Sequence, residues 1–181
     1  MKSYDYAHRT GVKPITWDEF ARLGRHLAEL VEPSRPQMIL GIARAGLFPA
    51  TLVACSLRCE LFPVRLTRRM NDQVLYDQPV WKVPVSQEVK AKIIVIIDEI
   101  ADTGQTLAMV AESARNLGAL QVITASLVSH SWAKPAPQFC ALTTDEFVIF
   151  PWAQQVLDGG KWVSHPEVVA GFKAQKRKPP G

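Results

Sequence analysis

The chain has 181 residues, 48% hydrophobic and 21% charged, a composition that suits one globular domain with a substantial core and leaves no room for a second full-sized domain. The net charge of +4 fits a polyanionic ligand, although the basic tail 173–181, with Lys173, Lys176, Arg177 and Lys178, supplies part of it and reads as a solvated end rather than a nucleic-acid site. The longest internal apolar stretch, Ala91 to Ile97 with Lys92 inside it, is far short of the roughly 20 residues of a membrane span, and MKSYDYAHRT holds no apolar signal segment, so a cytoplasmic protein is expected.

Thr16-Trp17-Asp18-Glu19 has the capping-box form and opens an apolar stripe of Phe20, Leu23, Leu27, Leu30 and Val31 at helical spacing. A helix is predicted to about Glu32, where Pro33 and Pro36 stop it. Met38 to Ile42 reads as a buried strand, Ala43 to Gly46 as a turn, and the following residues as a helix through Leu57, with Pro49 in its first turn. Cys55 and Cys59, one helical turn apart, read as buried packing residues, and with Cys140 they are expected to stay reduced.

Leu61 to Leu66 is predicted as a strand, and the polar stretch Thr67 to Pro84, with Arg68, Arg69, Asn71, Asp72 and Asp77, as a long hairpin arm. Ile93 to Ile97 is an unbroken β-branched run ending at Asp98-Glu99, followed by an amphipathic helix from Thr106 to Leu117 with Gly118 at its end, and then a strand from Gln121 to Val128. Strands alternating with helices argue for an α/β fold, doubly wound around a mostly parallel sheet. Beyond Ser129 the alternation stops. Phe139 to Leu142 and Glu146 to Phe150 are short extended pieces between Pro135, Pro137 and Pro151 and read as a small C-terminal lobe. The expected organisation is a single domain with a core over about 15–128, a hood over about 129–165 joined by the N-terminal segment, and the tail.

The sharpest chemical signal is Ile93 to Leu107: a buried strand, two adjacent acids, then Asp102-Thr103-Gly104-Gln105-Thr106 leading into a helix. Backbone amides of Asp102 to Thr106 at a helix N-terminus favour an anion, Thr103 and Thr106 add hydroxyl donors, and Gly104 permits close approach. Asp98 and Glu99 suit hydrogen bonds from sugar hydroxyls. An ordinary strand-to-helix turn capped by Asp102 and Thr103 gives the same local pattern.

This segment resembles the phosphoribosyl pyrophosphate (PRPP) signature of type I phosphoribosyltransferases, with Glu99 where many members have Asp. The resemblance implies that Asp98 and Glu99 bind the ribose hydroxyls and that Ala101, Asp102, Thr103, Gly104, Gln105 and Thr106 hold the 5-phosphate. Gly41 to Ala50 resembles the family's pyrophosphate loop, with Ala45 in place of the first glycine, which implies a pyrophosphate site at Ala43, Arg44, Ala45 and Gly46. That loop often contains a non-proline cis peptide in the family. The arm at Arg68 and Arg69 stands where the family has a flexible loop that closes over PRPP, and Arg69 is the expected pyrophosphate contact.

Ala133-Lys134-Pro135-Ala136 and Phe147 to Trp152 resemble the xanthine-guanine branch, as does Ile15-Thr16-Trp17-Asp18. The implied roles are Lys134 for the purine 6-oxygen, Phe147 for stacking and the Val148 backbone for the ring edge. An ammonium is donor-only, so Lys134 suits a 6-oxopurine and leaves an adenine amino group unmatched. The chain departs from that branch in a shorter lysine-to-aromatic segment, in Phe147 for a tryptophan, and in Ala153 where an acid commonly follows Pro-Trp.

The expected reaction displaces pyrophosphate at C1 of the ribose to form a nucleotide of guanine, xanthine or hypoxanthine. Mg²⁺ would be held mainly by PRPP and touched only indirectly by Asp98 and Glu99, with Asp102 as the catalytic group that accepts or shares the purine N7 proton. The expected partners are PRPP, a purine and pyrophosphate, in a homodimer or homotetramer, with no nucleic acid and no membrane. The rival readings are a PRPP-sensing regulator without turnover and an adenine or pyrimidine enzyme; an acyl or kinase-type phosphate binder is a weaker reading still, since no Gly-Lys-Ser/Thr turn exists. Trp17, Trp81, Trp132 and Trp162 read as packing residues, and His8, His26, His130 and His165 as too scattered for a metal site.

Overall fold

A short strand, β1 (Val12–Pro14), leads into α1 (Trp17–Val31) through Thr16, whose Oγ1 accepts the Glu19 N–H at 3.1 Å as the capping sequence requires. The computed structural model describes residues 9–67, 69–70, 73–74 and 79–175, with the backbone alone at 69–70 and 73–74. After a 3-10 turn at Glu32–Ser34 come β2 (Met38–Ile42), α2 (Leu47–Leu57) and β3 (Glu60–Thr67). β4 (Arg69–Met70) and β5 (Gln73–Val74) pair antiparallel, and β6 (Val80–Val83) returns against β3, so the described parts of the predicted arm are antiparallel strands. β7 (Ile93–Ala101), α3 (Gln105–Asn116), β8 (Gln121–Ser129) and β9 (Phe139–Thr143) complete the larger of two units, Arg22–Thr144.

The sheet has six strands in the order β6-β3-β2-β7-β8-β9, parallel throughout except for β6. Leu107, Val110, Ala111 and Ala114 of α3 pack on one face with Leu40, Ile94 and Ile96, while Leu27 and Val31 of α1 and Ala50 and Val53 of α2 pack on the other with Ile39, Val95 and Ile97. Covered on both faces, β2 is buried along its length and β7 from Ile94 to Asp98, which is why their sequence is a continuous apolar run rather than an alternation. This is the doubly wound α/β arrangement. No described helix is long and apolar enough to cross a membrane.

Three features differ from the sequence expectation. β7 runs through both acids to Ala101 instead of ending at Ile97, because β8 keeps pairing with it as far as Ala101↔Ser129. Residues 129–144, expected in the hood, belong with the larger unit: Thr124 N–H donates to Gln138 Oε1 at 3.0 Å and Gln138 N–H to Thr124 Oγ1 at 3.2 Å, a reciprocal clamp that starts β9 alongside β8. Cys55 is exposed on α2 rather than buried, and all three cysteines are free.

The smaller unit draws on both chain ends, up to Ala21 and from Asp145. In it β10 (Phe147–Ile149) pairs parallel with β1, and Val12, Phe147, Ile149, Val168 and Phe172 form its core with α4 (Pro166–Ala174). β11 (Gln155–Asp158) and β12 (Lys161–Ser164) form a hairpin whose two turn residues, Gly159 and Gly160, have φ of 53° and 79°. Trp162, read as a packing residue, is 68% exposed on this hairpin.

Gly41 sets how closely α2 approaches the sheet. A Cβ there would lie 2.8 Å from both the Ala50 Cβ and the Leu47 Cδ2. Gly41→Ala is expected to push α2 off β2 at about 1–3 kcal/mol, lowering the thermal midpoint by roughly 3–10 °C in a calorimetric scan.

Candidate active site

β2 and β7 lie side by side in parallel with Gly41 opposite Ile97, so the turn after β2 and the turn after β7 leave the same sheet edge. Residues 43–46 form the first. Ala43 N–H donates to Val64 O at 2.7 Å, and the Ala43–Arg44 peptide bond is cis, as the resemblance implied. Arg44 is exposed and Ala45 half-buried, while Gly46 is buried with no space for a side chain: its Cβ would stand 2.5 Å from Ile42 O and 2.8 Å from Asp98 Oδ1. The first turn is thus seated directly against Asp98.

Asp98 lies inside β7 beside Ser126 and is 9% exposed. Its Oδ1 accepts the Glu99 N–H at 2.9 Å. Burial raises its pKa well above the carboxylate range, and the charge of half-buried Glu99 raises it further. Two adjacent carboxylates with no third acid or His converging on them, among the described residues, fit a hard cation that keeps its own water and substrate oxygens.

The second turn runs from Ala101, 2% exposed, to Thr106, half-buried. Gly104, with φ of 79°, is the N-cap of α3 and offers no side chain, and Thr103 Oγ1 accepts the Gln105 N–H at 3.4 Å. The remaining first-turn amides of α3 have no intrahelical acceptor, and Thr103 and Gln105 are exposed beside them. These groups can hold a phosphate.

The segment 130–135 is laced to this turn. His130 N–H donates to Ala101 O at 3.1 Å, Trp132 Nε1–H to Asp102 Oδ1 at 3.1 Å, and Lys134 N–H to Thr103 O at 3.0 Å. Lys134–Pro135 is cis, and a Cβ on Gly104 would run into Pro135 O, so glycine is required there by both φ and space. The side chain of Lys134 is exposed, fixed at its backbone and able to reach a ligand. His130 is 3% exposed, hydrogen-bonds through Nδ1 to Thr144 O, and stacks on Trp132 with ring centroids 4.5 Å apart. Sequence reasoning missed His130 and Trp132. Their only signal was a tryptophan two residues before Lys134 in a chain otherwise read as packing.

Phe147 lies in the smaller unit, 8% exposed, T-shaped to Phe172 and so close to Gly171 that no Cβ fits there. The ring contacts described for it are those of a core aromatic. Val148, half-buried, pairs opposite Lys13. Arg68 and the Arg69 side chain lie outside the described residues.

Because the native state holds Asp98 with a raised pKa, folding takes up protons as pH rises through the ordinary Asp range, and stability falls from there to the native pKa. Asp98→Asn is therefore expected to raise the thermal midpoint at pH 7 and to change it little below pH 4. Equal effects at both pH values in thermal scans would contradict this.

Residues 16–158 match the family described as the phosphoribosyl transferase domain. A xanthine-guanine phosphoribosyltransferase of Nitratidesulfovibrio vulgaris is 28% identical over 152 residues, covering 80% of this chain and 86% of its own. Among solved structures, a purine phosphoribosyltransferase from Pyrococcus horikoshii Ot3 matches with a TM-score of 0.70 and 31% identity over 78% of this chain and 93% of that one. A Helicobacter pylori xanthine-guanine-hypoxanthine phosphoribosyltransferase shares the fold, with a TM-score of 0.66 and 17% identity over 80% of this chain and 93% of that one. A family match over most of the sequence, on a fold that brings both turns to one sheet edge, leads to one conclusion: the chain belongs to the phosphoribosyltransferase family.

Proposed function

We propose that the protein transfers the 5-phosphoribosyl group of PRPP to a 6-oxopurine, releasing pyrophosphate. The observation that carries this reading is the lacing of the Lys134 segment to the phosphate turn, Lys134 N–H to Thr103 O at 3.0 Å with Gly104 against Pro135. It ties the backbone of a donor-only residue to the proposed phosphate cradle, which supports a nucleotide with an exocyclic oxygen. The names carried by the 28% and 31% identical relatives, xanthine-guanine and purine, point the same way.

In this reading Ala101 to Thr106 bind the 5-phosphate, Asp98 and Glu99 accept from the ribose hydroxyls, and Ala43 to Gly46 receive the pyrophosphate, with Arg69 joining them. Mg²⁺, held mainly by PRPP beside Asp98 and Glu99, supplies neutralisation of leaving-group charge when bound. As a ring nitrogen bonds to C1, the C1–oxygen bond breaks and its electron pair leaves with pyrophosphate. The N7 proton passes to Asp102. Lys134 donates to the 6-oxygen; Phe147 and the Val148 backbone keep a proposed role at the ring face and edge, secondary to Lys134 given how little of the Phe147 ring is exposed.

The test is nucleotide formation from PRPP and Mg²⁺ with each of hypoxanthine, guanine, xanthine, adenine and uracil. Turnover of at least one 6-oxopurine well above adenine and uracil is expected. A protein that binds PRPP yet is inert with all five is a sensor. Lys134→Gln is expected to reduce 6-oxopurine turnover about 10-fold or more while PRPP affinity by calorimetry stays within about 2-fold; a joint fall would make Lys134 structural.

Asp102→Asn preserves shape but removes the proton acceptor. Turnover is expected to drop by about 10²-fold or more with PRPP binding nearly intact, and single-turnover kinetics separates that loss from slow product release.

A further inference from the structure

We infer that Trp132 is a positioning residue whose indole N–H holds the Asp102 carboxylate in the orientation that receives the N7 proton. The inference rests on the reaction proposed above. Burial does not explain this side chain, since Trp132 is 40% exposed. Its one polar atom is directed at Asp102 Oδ1, at 3.1 Å.

The ring itself is fixed from two sides. His130 and Lys134, two residues to either side, are tied by their backbone amides to Ala101 O and Thr103 O, the neighbours of Asp102, so the three bonds register residues 130–134 against 101–103. His130, 3% exposed and bonded to Thr144 O, lies flat against the indole with 16° between the planes. A rigid plate therefore carries the N–H.

The chemistry of the indole suits this role. A carboxylate turns easily about its terminal torsion, and the indole N–H takes hold of one of its two oxygens. Indole is a donor that neither accepts nor titrates near neutral pH, so it orients Asp102 without competing for the proton that Asp102 is to receive. A histidine or lysine in the same place would add a second titrating group.

Trp132→Phe keeps a flat ring on His130 and deletes only the donor. It is expected to lower kcat about 10-fold, with KM for PRPP and for the base within about 2-fold and the thermal midpoint unchanged. In an Asp102→Asn background the same change is expected to alter kcat by less than about 2-fold, because the group it positions no longer accepts a proton. Independently of turnover, the Trp132 indole resonance, assigned by its loss in Trp132→Phe, is expected to move upfield in Asp102→Asn as the acceptor loses its charge. An unchanged resonance, a wild-type kcat in Trp132→Phe, or the same 10-fold loss in both backgrounds would overturn the inference while leaving the proposed reaction standing. Wild-type protein inert with every base would instead sink the reaction, and the positioning role with it.

Discussion

The parallel pairing of β7 with β2 on one side and β8 on the other governs everything at the site. Parallel neighbours end at the same edge, so the turn after β2 and the turn after β7 are brought together by register alone. Gly46 makes the consequence local, because its missing side chain is the space occupied by the Asp98 carboxylate. Further along the same edge β8 hands the chain to residues 130–135, which fold back onto the β7 turn through backbone bonds. Substrate-facing loops are commonly independent of one another. Here the loops of the larger unit are joined by the strands beneath them.

Burying a carboxyl at the heart of this edge works against stability. Asp98 is surrounded closely enough that its ionised form is disfavoured, and Glu99 beside it adds a second negative charge. Hydrophobic residues of similar size would fold more comfortably there. Such a pair suits a place where polar ligand groups add to the one hydrogen bond that Asp98 already accepts from Glu99 N–H.

Much of the fold was legible because periodicity and burial coincide. The β-branched run at Ile93 to Ile97, the capped stripe from Thr16 and the glycine after α3 each specify one local structure. The turn between β7 and α3 was legible from composition, since a glycine between two threonines after an apolar strand marks a passage from strand to helix. What escaped was set by partners distant in sequence. The extension of β7 through its acids depends on pairing with β8, and β9 depends on the exchange between Thr124 and Gln138. Trp132 was missed for the same reason: its acceptor lies thirty positions earlier, and an isolated tryptophan carries no period that would reveal it. Phe147 shows the converse, a motif position whose ring is engaged by Gly171 and Phe172, residues that no motif linked to it.

The hydrogen bonds between 101–103 and 130–134 have a metrical consequence. With the 101–103 turn and the Lys134 backbone bonded to each other, the span from one to the other is a fixed gauge rather than an adjustable gap. Residues 130–134 therefore follow any shift of the 101–103 turn, because three bonds would have to break for either segment to move alone. The two loops move as one piece, held mainly through main-chain groups.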